Sequence, residues 1–292
     1  MSIREPDCRK KFDVGLSFCR QFKGESPRVF PLTIGRLRSE DDAPAGSLVE
    51  RSRAPTTDEL ADIGWLVGLG PGERVAAVAD LRVAPLRPGE LLCRVGRPAT
   101  YWFGVIDGLL KMSTDTALGI PMTFTGMPPG GWFGEGTCIK REAYRYNIQA
   151  LRPSLVAGLG IETFHGLLGT SIAFNRFITQ QLNERLGQFI AAREIDRMTD
   201  PEARVARSLA ALFHPVLYPG VGTLLRITQQ ELGYLVGLSR QRVNEALRAL
   251  QDEALIRVEY GGVSVLDLDG LRRHGQCERG GERSMRPTSR ER

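Results

Sequence analysis

The stretch Ile227–Ile256, ITQQELGYLVGLSRQRVNEALRALQDEALI, holds the start and stop signals of two short helices. Thr228 and Glu231 form a Thr-x-x-Glu capping box, in which each side chain accepts from the backbone N–H of the other residue, so a helix is predicted to begin at Thr228. Gly237 can take the left-handed conformation that ends this helix, and Ser239 can cap a second helix two residues later. Two helices joined by so short a turn predict a helix-turn-helix.

The second predicted helix has an apolar face and a polar face. The residues expected to be buried are Val243, Ala246, Leu247 and Leu250. The polar face begins at the helix N-terminus, which is the end that a recognition helix inserts into the major groove. The candidate DNA contacts on this helix are Arg240, Gln241, Arg242, Asn244, Glu245 and Arg248.

These residue types suit the reading of base edges. Arginine can bridge O6 and N7 of guanine, and asparagine or glutamine can bridge N6 and N7 of adenine, each pair contributing about 1 to 3 kcal/mol of discrimination. Thr228, Gln229 and Ser239 lie at helix starts, where hydroxyls, amides and free N–H groups can hold phosphate. The alternative is an inert packing unit whose arginines are only solvated charges.

Two alternating strands follow the second helix. Ile256–Tyr260 and Val263–Val265 flank the pair Gly261-Gly262, which predicts a hairpin of the kind called a wing. The winged helix-turn-helix is expected to occupy residues 201–271, with a helix over Arg204–Phe213 at its start.

Residues 56–162 are predicted to form an all-β barrel or roll, entered through a short helix capped at Thr56 or Thr57. Glycine-bounded runs of strand length recur there, which is typical of this architecture. The predicted strands are Tyr101–Ile106, Leu109–Ser113, Pro121–Thr125, Tyr146–Ala150 and Leu155–Leu159. Asp107-Gly108 is interpreted as a hairpin turn, because this dipeptide favours positive φ values.

Residues 163–200 connect the two domains, and Thr163–Met198 is predicted to be one helix. A narrow apolar stripe favours a seam between two such helices in a dimer. The alternative is a single helix that packs on its own barrel. The stripe consists of Phe174, Ile178, Leu182, Leu186, Phe189 and Ile190.

The two ends of the chain differ from the middle. Residues 1–55 mix charge, proline and glycine without a sustained period and are expected to be a poorly ordered extension. Residues 272–292 hold seven arginines and three glutamates without an aromatic residue, which predicts a basic, disordered tail. The fold class is therefore α+β: a β-roll or jelly-roll sensor domain, a long dimerisation helix and a winged helix-turn-helix.

Composition excludes several classes of protein. With 292 residues, a net charge of +5 and 42% hydrophobic residues, the chain is expected to fold as two globular domains. There is no apolar run of membrane-spanning length and the first residues are charged, so we expect a cytoplasmic protein without membrane contact. The five cysteines include no CxxC pair, which argues against a disulfide framework, a zinc site or an iron–sulfur cluster.

Signatures of enzymes are also missing from the sequence. Gly68-Leu69-Gly70-Pro71-Gly72 superficially resembles a nucleotide loop, but Pro71 interrupts it and no lysine follows. The three histidines are interpreted as ordinary helix or loop residues and not as haem ligands. An enzyme with a regulatory roll, or an interaction module that has lost DNA binding, are the competing functions.

Ile227–Ile256 closely resembles the DNA-binding segment of the Crp/Fnr transcription regulators. The pieces LRPGELL, VIDGLLKM and PPGGWFGE resemble, in the same order, the cyclic-nucleotide-binding β-roll of that family. The resemblance covers residues 60–271. It implies a homodimer on a near-palindromic DNA site, regulated by an effector, with RNA polymerase as a protein partner.

Cyclic-AMP-binding relatives hold the ribose with a Gly-Glu pair and the phosphate with an Arg-Ser or Arg-Thr pair. By this resemblance Gly134 and Glu135 match the first pair and Arg145 matches the arginine, but Tyr146 replaces the hydroxyl residue. Phe189 and Ile190 stand where the cyclic AMP binder presents hydroxyls to the purine. These departures argue against binding of cyclic AMP in the usual way.

Three interpretations of the effector site, Gly134, Glu135, Arg145, Tyr146 and Phe189, remain open. The pocket binds another small molecule with apolar or aromatic character, it is a retained fold without a ligand, or it holds a nucleotide through a rearranged loop. No cofactor is assigned. A redox role for Cys138, near the pocket, is a further alternative.

The resemblance also implies how DNA is read. Arg240 matches the family arginine that contacts guanine, whereas Gln241 stands where the best-known member has glutamate and Glu245 where it has arginine. Asn244 has no counterpart of the same type. We therefore predict a half-site that differs from TGTGA or TTGAT at one or two positions.

Overall fold

The computed structural model describes residues 48, 50–115 and 121–275. The helices of this part are α1 (Thr57–Ala61), α2 (Pro71–Asp80), α3 (Glu135–Lys140), α4 (Ile161–Thr170), α5 (Ile172–Ile195), α6 (Pro201–Leu212), α7 (Gln229–Val236), α8 (Arg240–Asp252) and α9 (Leu268–Arg273), with a 3-10 helix over Gly64–Gly68. The strands are β1 (Arg82–Leu86), β2 (Leu91–Cys93), β3 (Tyr101–Asp107), β4 (Leu110–Asp115), β5 (Pro121–Met127), β6 (Trp132–Phe133), β7 (Asn147–Ala150), β8 (Ser154–Gly160), β9 (Leu224–Leu225), β10 (Ile256–Glu259) and β11 (Gly262–Val265).

Strands β1 to β8 form a β-roll of two antiparallel four-stranded sheets, with strand orders β1-β8-β3-β6 and β2-β7-β4-β5. Apolar side chains of both sheets meet in one core, in which Phe133, Ile148 and Val156 are almost completely buried. The five strands predicted from the glycine-bounded runs are confirmed as β3, β4, β5, β7 and β8. The shorter strands β1, β2 and β6 were not predicted, because they have only two to five residues and carry little periodicity.

The predicted hairpin at Asp107-Gly108 is wrong. Strands β3 and β4 belong to different sheets, so the chain turns a corner between the sheets there. Gly108 has φ +105°, and a Cβ atom on it would lie 2.2 Å from the Ser154 hydroxyl oxygen. The dipeptide marks a positive φ correctly, but sheet pairing is a tertiary property that the dipeptide does not encode.

A layer of helices covers the outer face of the roll. Trp65, Trp102 and Trp132 lie at the centre of this layer, with ring centroids 4.3 to 5.4 Å apart. Phe164 of α4 and Phe174 of α5 pack edge-on in the same cluster. The cluster fixes the first turns of α5 to the roll.

The single helix predicted over Thr163–Met198 is wrong at Ser171, where α4 ends and α5 begins. Ser171 has extended backbone angles (φ −100°, ψ 110°), and its hydroxyl oxygen accepts from the backbone N–H of Phe174 at 3.2 Å. The same hydroxyl donates to Glu73 at 2.8 Å. Serine competes with the helix for backbone hydrogen bonds, so it caps a new helix in place of continuing the old one.

Helices α6 to α9 and the three-stranded sheet β10-β11-β9 form the winged helix-turn-helix. Its core gathers Leu209 of α6, Leu232 of α7, Val243 and Leu247 of α8, and Ile256 of the wing. Strand β9 was not predicted, since two residues give no period.

The ordered part of the chain reaches further toward both termini than predicted. Arg53 bridges Val83 of β1, so the residues just before α1 are fixed to the roll. Helix α9 reaches Arg273 and is capped by Asp267, so residues 272–275 belong to the winged domain and not to a tail. Residues 1–47 and 276–292 lie outside the described part, and the expectations for them stay untested. Across the residues that are described, none of the helices is long and apolar enough to cross a membrane.

Candidate nucleic-acid interface and ligand cavity

The helix-turn-helix forms as its capping residues predict. Thr228 and Glu231 make both bonds of the capping box, at 3.2 and 2.6 Å. Gly237 has φ +67° and ends α7, and the Ser239 hydroxyl accepts from the backbone N–H of Arg242 at 3.3 Å at the start of α8. Each capping signal involves residues close together in the sequence, so it can be predicted without knowledge of the fold.

Helix α8 buries the predicted face and exposes the other. Val243, Ala246, Leu247 and Leu250 are buried in the winged domain. Arg240, Arg242 and Arg248 are exposed, and within the residues described none of their guanidinium groups forms an ion pair or a hydrogen bond. Three unpaired cations on one exposed helix favour a polyanionic partner.

Two hydrogen bonds organise the polar side chains at this surface. The Gln229 amide donates to Asn244 Oδ1 at 3.0 Å, which links the start of α7 to α8 and leaves Asn244 half-buried. The Gln241 amide donates to Glu245 Oε1 at 3.0 Å one turn along α8. Glu245 therefore orients the Gln241 amide and holds its carbonyl oxygen free to accept.

The wing completes a groove beside α8. A cavity of about 430 Å³ lies between the start of α7, Arg240 and the wing residues Val258–Val263. Tyr260 stands fully exposed at the tip of the wing, and Arg226 and Arg257 are exposed near it. The sequence analysis did not select these three residues; the available signal was the position of Arg257 and Tyr260 near the Gly261-Gly262 turn and of Arg226 just before α7.

Helix α7 is held against the β-roll by charge and packing. Arg152, in the turn between β7 and β8, makes two hydrogen bonds to the Glu231 carboxylate, one of them 2.9 Å long. Lys111 lies over the ring of Tyr234 at 5.8 Å. Gly126 lies so close to Leu235 that a Cβ atom would approach it to 2.8 Å.

The pKa of Glu231 reflects this contact. Burial raises it, but the hydrogen bonds from Arg152 and from the backbone N–H of Thr228 outweigh burial, so the pKa lies below its usual value. Glu231 is therefore a carboxylate that both caps α7 and anchors it to the roll.

A cavity of about 820 Å³ lies between the roll, α5 and α7. It contains Gly134, Glu135, Tyr146 and Phe189, which are four of the five residues assigned to the effector site. Phe124, Phe133 and Tyr234 add aromatic walls, and the far end reaches Gly237 in the turn of the helix-turn-helix.

Arg145 is not part of this cavity, so its assignment is corrected. Its side chain is 78% exposed and pairs with Glu142 at 3.1 Å on the outer surface. Arg145 and Tyr146 lie in the bend just before β7, where the Arg145 side chain faces solvent and Tyr146 lines the cavity. Burial raises the pKa of the Tyr146 hydroxyl, which stays protonated.

Arg193, Asp196 and Arg204 also line this cavity, and its buried cation among the described residues is Arg185 of α5, which the sequence analysis missed. Its guanidinium donates to the Trp132 carbonyl at 2.6 Å and to the Tyr218 hydroxyl at 3.1 Å, and lies 3.8 Å from Glu135. Gln188 bonds the same Tyr218 hydroxyl at 3.0 Å. The available signal was an arginine inside the apolar stripe of α5.

Glu135 lines the cavity in an unusual state. It is buried, and its Oε1 atom makes no hydrogen bond within the described residues. Burial raises the pKa of this carboxyl, and Arg185 opposes that rise only partly. Glu135 Oε1 thus has Arg185, 3.8 Å away, as its ion-pair partner and no hydrogen-bond donor among the described residues.

The apolar stripe of α5 divides into two sets. Phe174 and Ile178 are 1% and 2% exposed in the chain's own core, so their assignment to a dimer seam is corrected. Leu182, Leu186 and Ile190 are 39%, 61% and 59% exposed. Phe189 is half-buried beside the cavity. The exposed remainder is a row at i, i+4 and i+8 along the C-terminal half of α5.

Cys138 is buried in α3, and burial raises its pKa to about 12. A thiol in this environment stays protonated and is a poor nucleophile. The structure therefore gives the alternative of a redox role no support.

Two family profiles match the chain in separate regions. The cyclic nucleotide-binding domain matches residues 83–171, which is the roll from β1 to α4. The Crp-like helix-turn-helix domain matches residues 203–274, which is the winged domain.

Several known proteins are similar to this chain in sequence or in fold. The cAMP-activated global transcriptional regulator CRP of Haemophilus influenzae is 28% identical over 178 residues, covering 56% of this chain and 75% of the relative. A CRP-like cAMP-activated global transcriptional regulator of Mycobacterium tuberculosis is 26% identical over 232 residues, covering 74% and 98%. The structure of FixK2 from Bradyrhizobium japonicum matches with a TM-score of 0.53 and 16% identity, covering 65% of this chain and 94% of that one.

Proposed function

The chain belongs to the Crp/Fnr family of transcription regulators, and from that premise we propose that it acts as a homodimer that reads a near-palindromic DNA site with α8. The observation that carries the proposal is the exposed face of α8, where three arginines without intramolecular partners surround the Gln241–Glu245 pair. The helix start and the wing lie on the same groove, as DNA contact requires.

The polar residues divide into two roles. Arg240 and Gln241 lie in the first turn of α8 and are proposed to read bases. Thr228, Gln229, Ser239, Arg242 and Arg248 are proposed to hold phosphates. Asn244 positions Gln229, and Glu245 positions Gln241, through the hydrogen bonds described.

Dimerisation is proposed along the exposed row Leu182, Leu186 and Ile190. Leaving three large apolar side chains in water on one helix face is unfavourable, and a second copy of α5 would cover them. A symmetric pair of chains places two α8 helices for two half-sites. RNA polymerase is the proposed protein partner at the promoter.

The cavity is proposed to hold an effector other than cyclic AMP bound in the usual way. Arg145 faces outward and does not line the cavity, while Tyr146 and Phe189 line it with aromatic rings. A compact ligand with an aromatic or apolar body and one hydrogen-bond donor for Glu135 fits this lining. Because the cavity touches both α5 and α7, its occupancy would bias the placement of the winged domain.

Selection of bound sequences from a random DNA pool, followed by affinity measurement, tests the DNA-reading role. Arg240→Ala is expected to cost about 1 to 3 kcal/mol at one base pair of each half-site and to relax the preference there. Arg248→Ala, the matched loss of one positive charge on the same helix, is expected to weaken binding evenly across sequences.

Three outcomes would contradict the proposal: no enriched site in the selected pool, sequence-blind losses in both variants, or affinity that is insensitive to salt. Recovery of an unaltered TGTGA half-site would contradict the more specific prediction about base reading while leaving DNA binding intact.

A further inference from the structure

Two carboxylates and an imidazole converge at one point of the winged domain, on the elements α6, α8 and α9. His274 Nε2 lies 3.1 Å from Glu202 Oε1 and 3.2 Å from Glu253 Oε2. One ligand atom from each residue lies within 4.8 Å of the other two. We propose that Glu202, Glu253 and His274 bind a first-row transition-metal dication such as Zn²⁺.

The three residues lie at the ends of helices that pack together in the winged domain. Glu202 lies in the first turn of α6, Glu253 caps the C-terminus of α8, and His274 caps the C-terminus of α9. Gly275, with φ +72°, follows His274 so close to α6 that a Cβ atom would lie 2.3 Å from the Ala203 Cβ. This close approach presses the end of α9 onto α6 and holds the imidazole at the two carboxylates.

The imidazole is oriented by its Nε2 side alone. The His274 side chain is only 14% exposed, and its Nδ1 atom is buried without a hydrogen-bond partner among the described residues. In addition, no lysine or arginine of the described chain pairs with Glu202 or Glu253; the nearby Arg272 pairs with Asp269 at 3.1 Å. Within the described residues, the two carboxylates thus have no lysine or arginine partner.

One proton on Nε2 cannot make a good hydrogen bond to both carboxylates at once. Nε2 carries one N–H at most, and this N–H faces two carboxylate oxygens at nearly equal distances. A dication bound by Nε2 accepts both oxygens at once, and water can fill its remaining positions. Imidazole with carboxylates suits zinc, manganese, iron or cobalt, whereas Mg²⁺ and Ca²⁺ prefer sites made entirely of oxygen.

A bound ion would tie the end of the recognition helix to the two helices beside it. Glu253 is the last capping residue of α8, so coordination there limits how far α8 can rotate against α6. The absence of cysteine pairs in the sequence bears on thiolate zinc sites only. This donor set comes from residues 51 and 21 positions apart along the chain and is assembled by the tertiary structure.

Equilibrium dialysis of the full-length protein against Zn²⁺ tests the site directly. Wild type is expected to bind one Zn²⁺ per chain that His274→Gln abolishes. His214→Gln is the matched control, because His214 lies 3.3 Å from a single carboxylate, Glu184, and this variant should keep full binding. Glu253→Gln is expected to weaken binding roughly tenfold or more, the usual range for disturbing a metal site.

Two further readouts keep the result decisive. Co²⁺ in place of Zn²⁺ should give ligand-field absorption without a thiolate charge-transfer band, which separates this site from the cysteines. Zn²⁺ should also raise the thermal midpoint of wild type by about 3 °C or more at saturation, and leave His274→Gln unchanged. If His274→Gln fails to fold by circular dichroism, Glu253→Gln, whose side chain is half exposed, supplies the comparison.

The proposal is overturned if wild type shows no saturable Zn²⁺ binding, or if His274→Gln and Glu253→Gln bind as wild type does. A thiolate band that survives in His274→Gln would assign the ion to cysteine and also overturn it. None of these readouts depends on DNA, so the result is independent of the proposed regulatory function.

Discussion

At the scale of single residues, Arg185 has the largest consequence for the cavity. A buried guanidinium is tolerated only with good partners, and Arg185 has the Trp132 carbonyl, the Tyr218 hydroxyl and the Gln188 amide oxygen. It is also the ion-pair partner, at 3.8 Å, of the buried Glu135. This arginine therefore links α5, the roll and the segment that leads into the wing.

Arg185→Met is expected to destabilise the chain by about 3 to 5 kcal/mol at neutral pH, because it leaves Glu135 buried without its counter-charge. Arg193→Met, an exposed arginine of the same helix, is the control and should change stability by less than about 0.5 kcal/mol. Chemical denaturation of both variants measures the difference.

The pH dependence of the Arg185→Met variant follows from Glu135. Its pKa is raised in the folded state above the usual 4.5, so the folded chain binds more protons than the unfolded chain above that pH. The contribution of Glu135 to the stability of the folded chain is therefore fully present below about pH 4.5 and is lost as the pH rises through the folded pKa of this carboxyl. Arg185→Met should increase the loss of stability at higher pH, and the double variant with Glu135→Gln should no longer show this loss. If the double variant keeps the pH profile of Arg185→Met, the assignment of the pH dependence to Glu135 is wrong.

At the scale of secondary-structure elements, α5 performs two tasks along its length. Its first half anchors Phe174 and Ile178 in the tryptophan cluster, and its second half exposes Leu182, Leu186 and Ile190. Between them the helix carries Arg185 and Phe189 to the cavity. One helix thus touches the roll, the cavity and the proposed partner chain.

Leu186→Glu is expected to weaken dimerisation at least about 100-fold. Symmetry removes two leucine side chains from the seam, each contributing about 1.5 to 3 kcal/mol when buried. Gln180→Glu adds the same charge to an exposed position on another face of α5 and should leave the dimer intact. Sedimentation equilibrium measures both. Dimers of equal affinity in the two variants would place the seam elsewhere.

At the scale of the whole molecule, the contact between Arg152 and Glu231 joins the β-roll to the helix-turn-helix. The two side chains are only 19% and 10% exposed, so solvent screens this ion pair less than it screens a surface pair. The carboxylate that starts α7 is the same one that the roll binds. We propose that a change in the roll reaches α7 through this capping residue.

Arg152→Ala is expected to cost roughly 1 to 3 kcal/mol and to speed hydrogen exchange of the α7 amides at neutral pH. The folded pKa of Glu231 lies below 4.5, so this stabilisation is present above about pH 4.5 and is lost as the pH falls through the folded value. The Arg152→Ala effect should therefore disappear in acid.

Two controls separate the ion pair from the helix cap and from surface charge. Glu231→Gln keeps an acceptor for the capping box but removes the charge, so it should reproduce Arg152→Ala without unwinding α7. Arg141→Ala breaks an exposed arginine–glutamate pair and should change stability much less than Arg152→Ala does. Equal effects of Arg141→Ala and Arg152→Ala would reject the proposed coupling.

The sequence by itself determined the features that depend on neighbouring residues. The capping box of α7, the left-handed Gly237, the Ser239 cap and the polar face of α8 all lie within about one or two helical turns of the residues they bond. Glycine-bounded runs of strand length likewise located the longer strands of the roll. Local hydrogen bonding and side-chain spacing dictate such features, so they are legible before the chain folds.

Only the tertiary structure decided what distant residues do together. The chain passes from one sheet to the other at Gly108. Arg145 lies outside the cavity, Arg185 lines it, and Phe174 is buried in the core. The tertiary structure also brought Glu202, Glu253 and His274 to one point. Sheet pairing, burial and charge partners depend on packing between segments far apart in sequence, and one chain's local pattern does not carry that information.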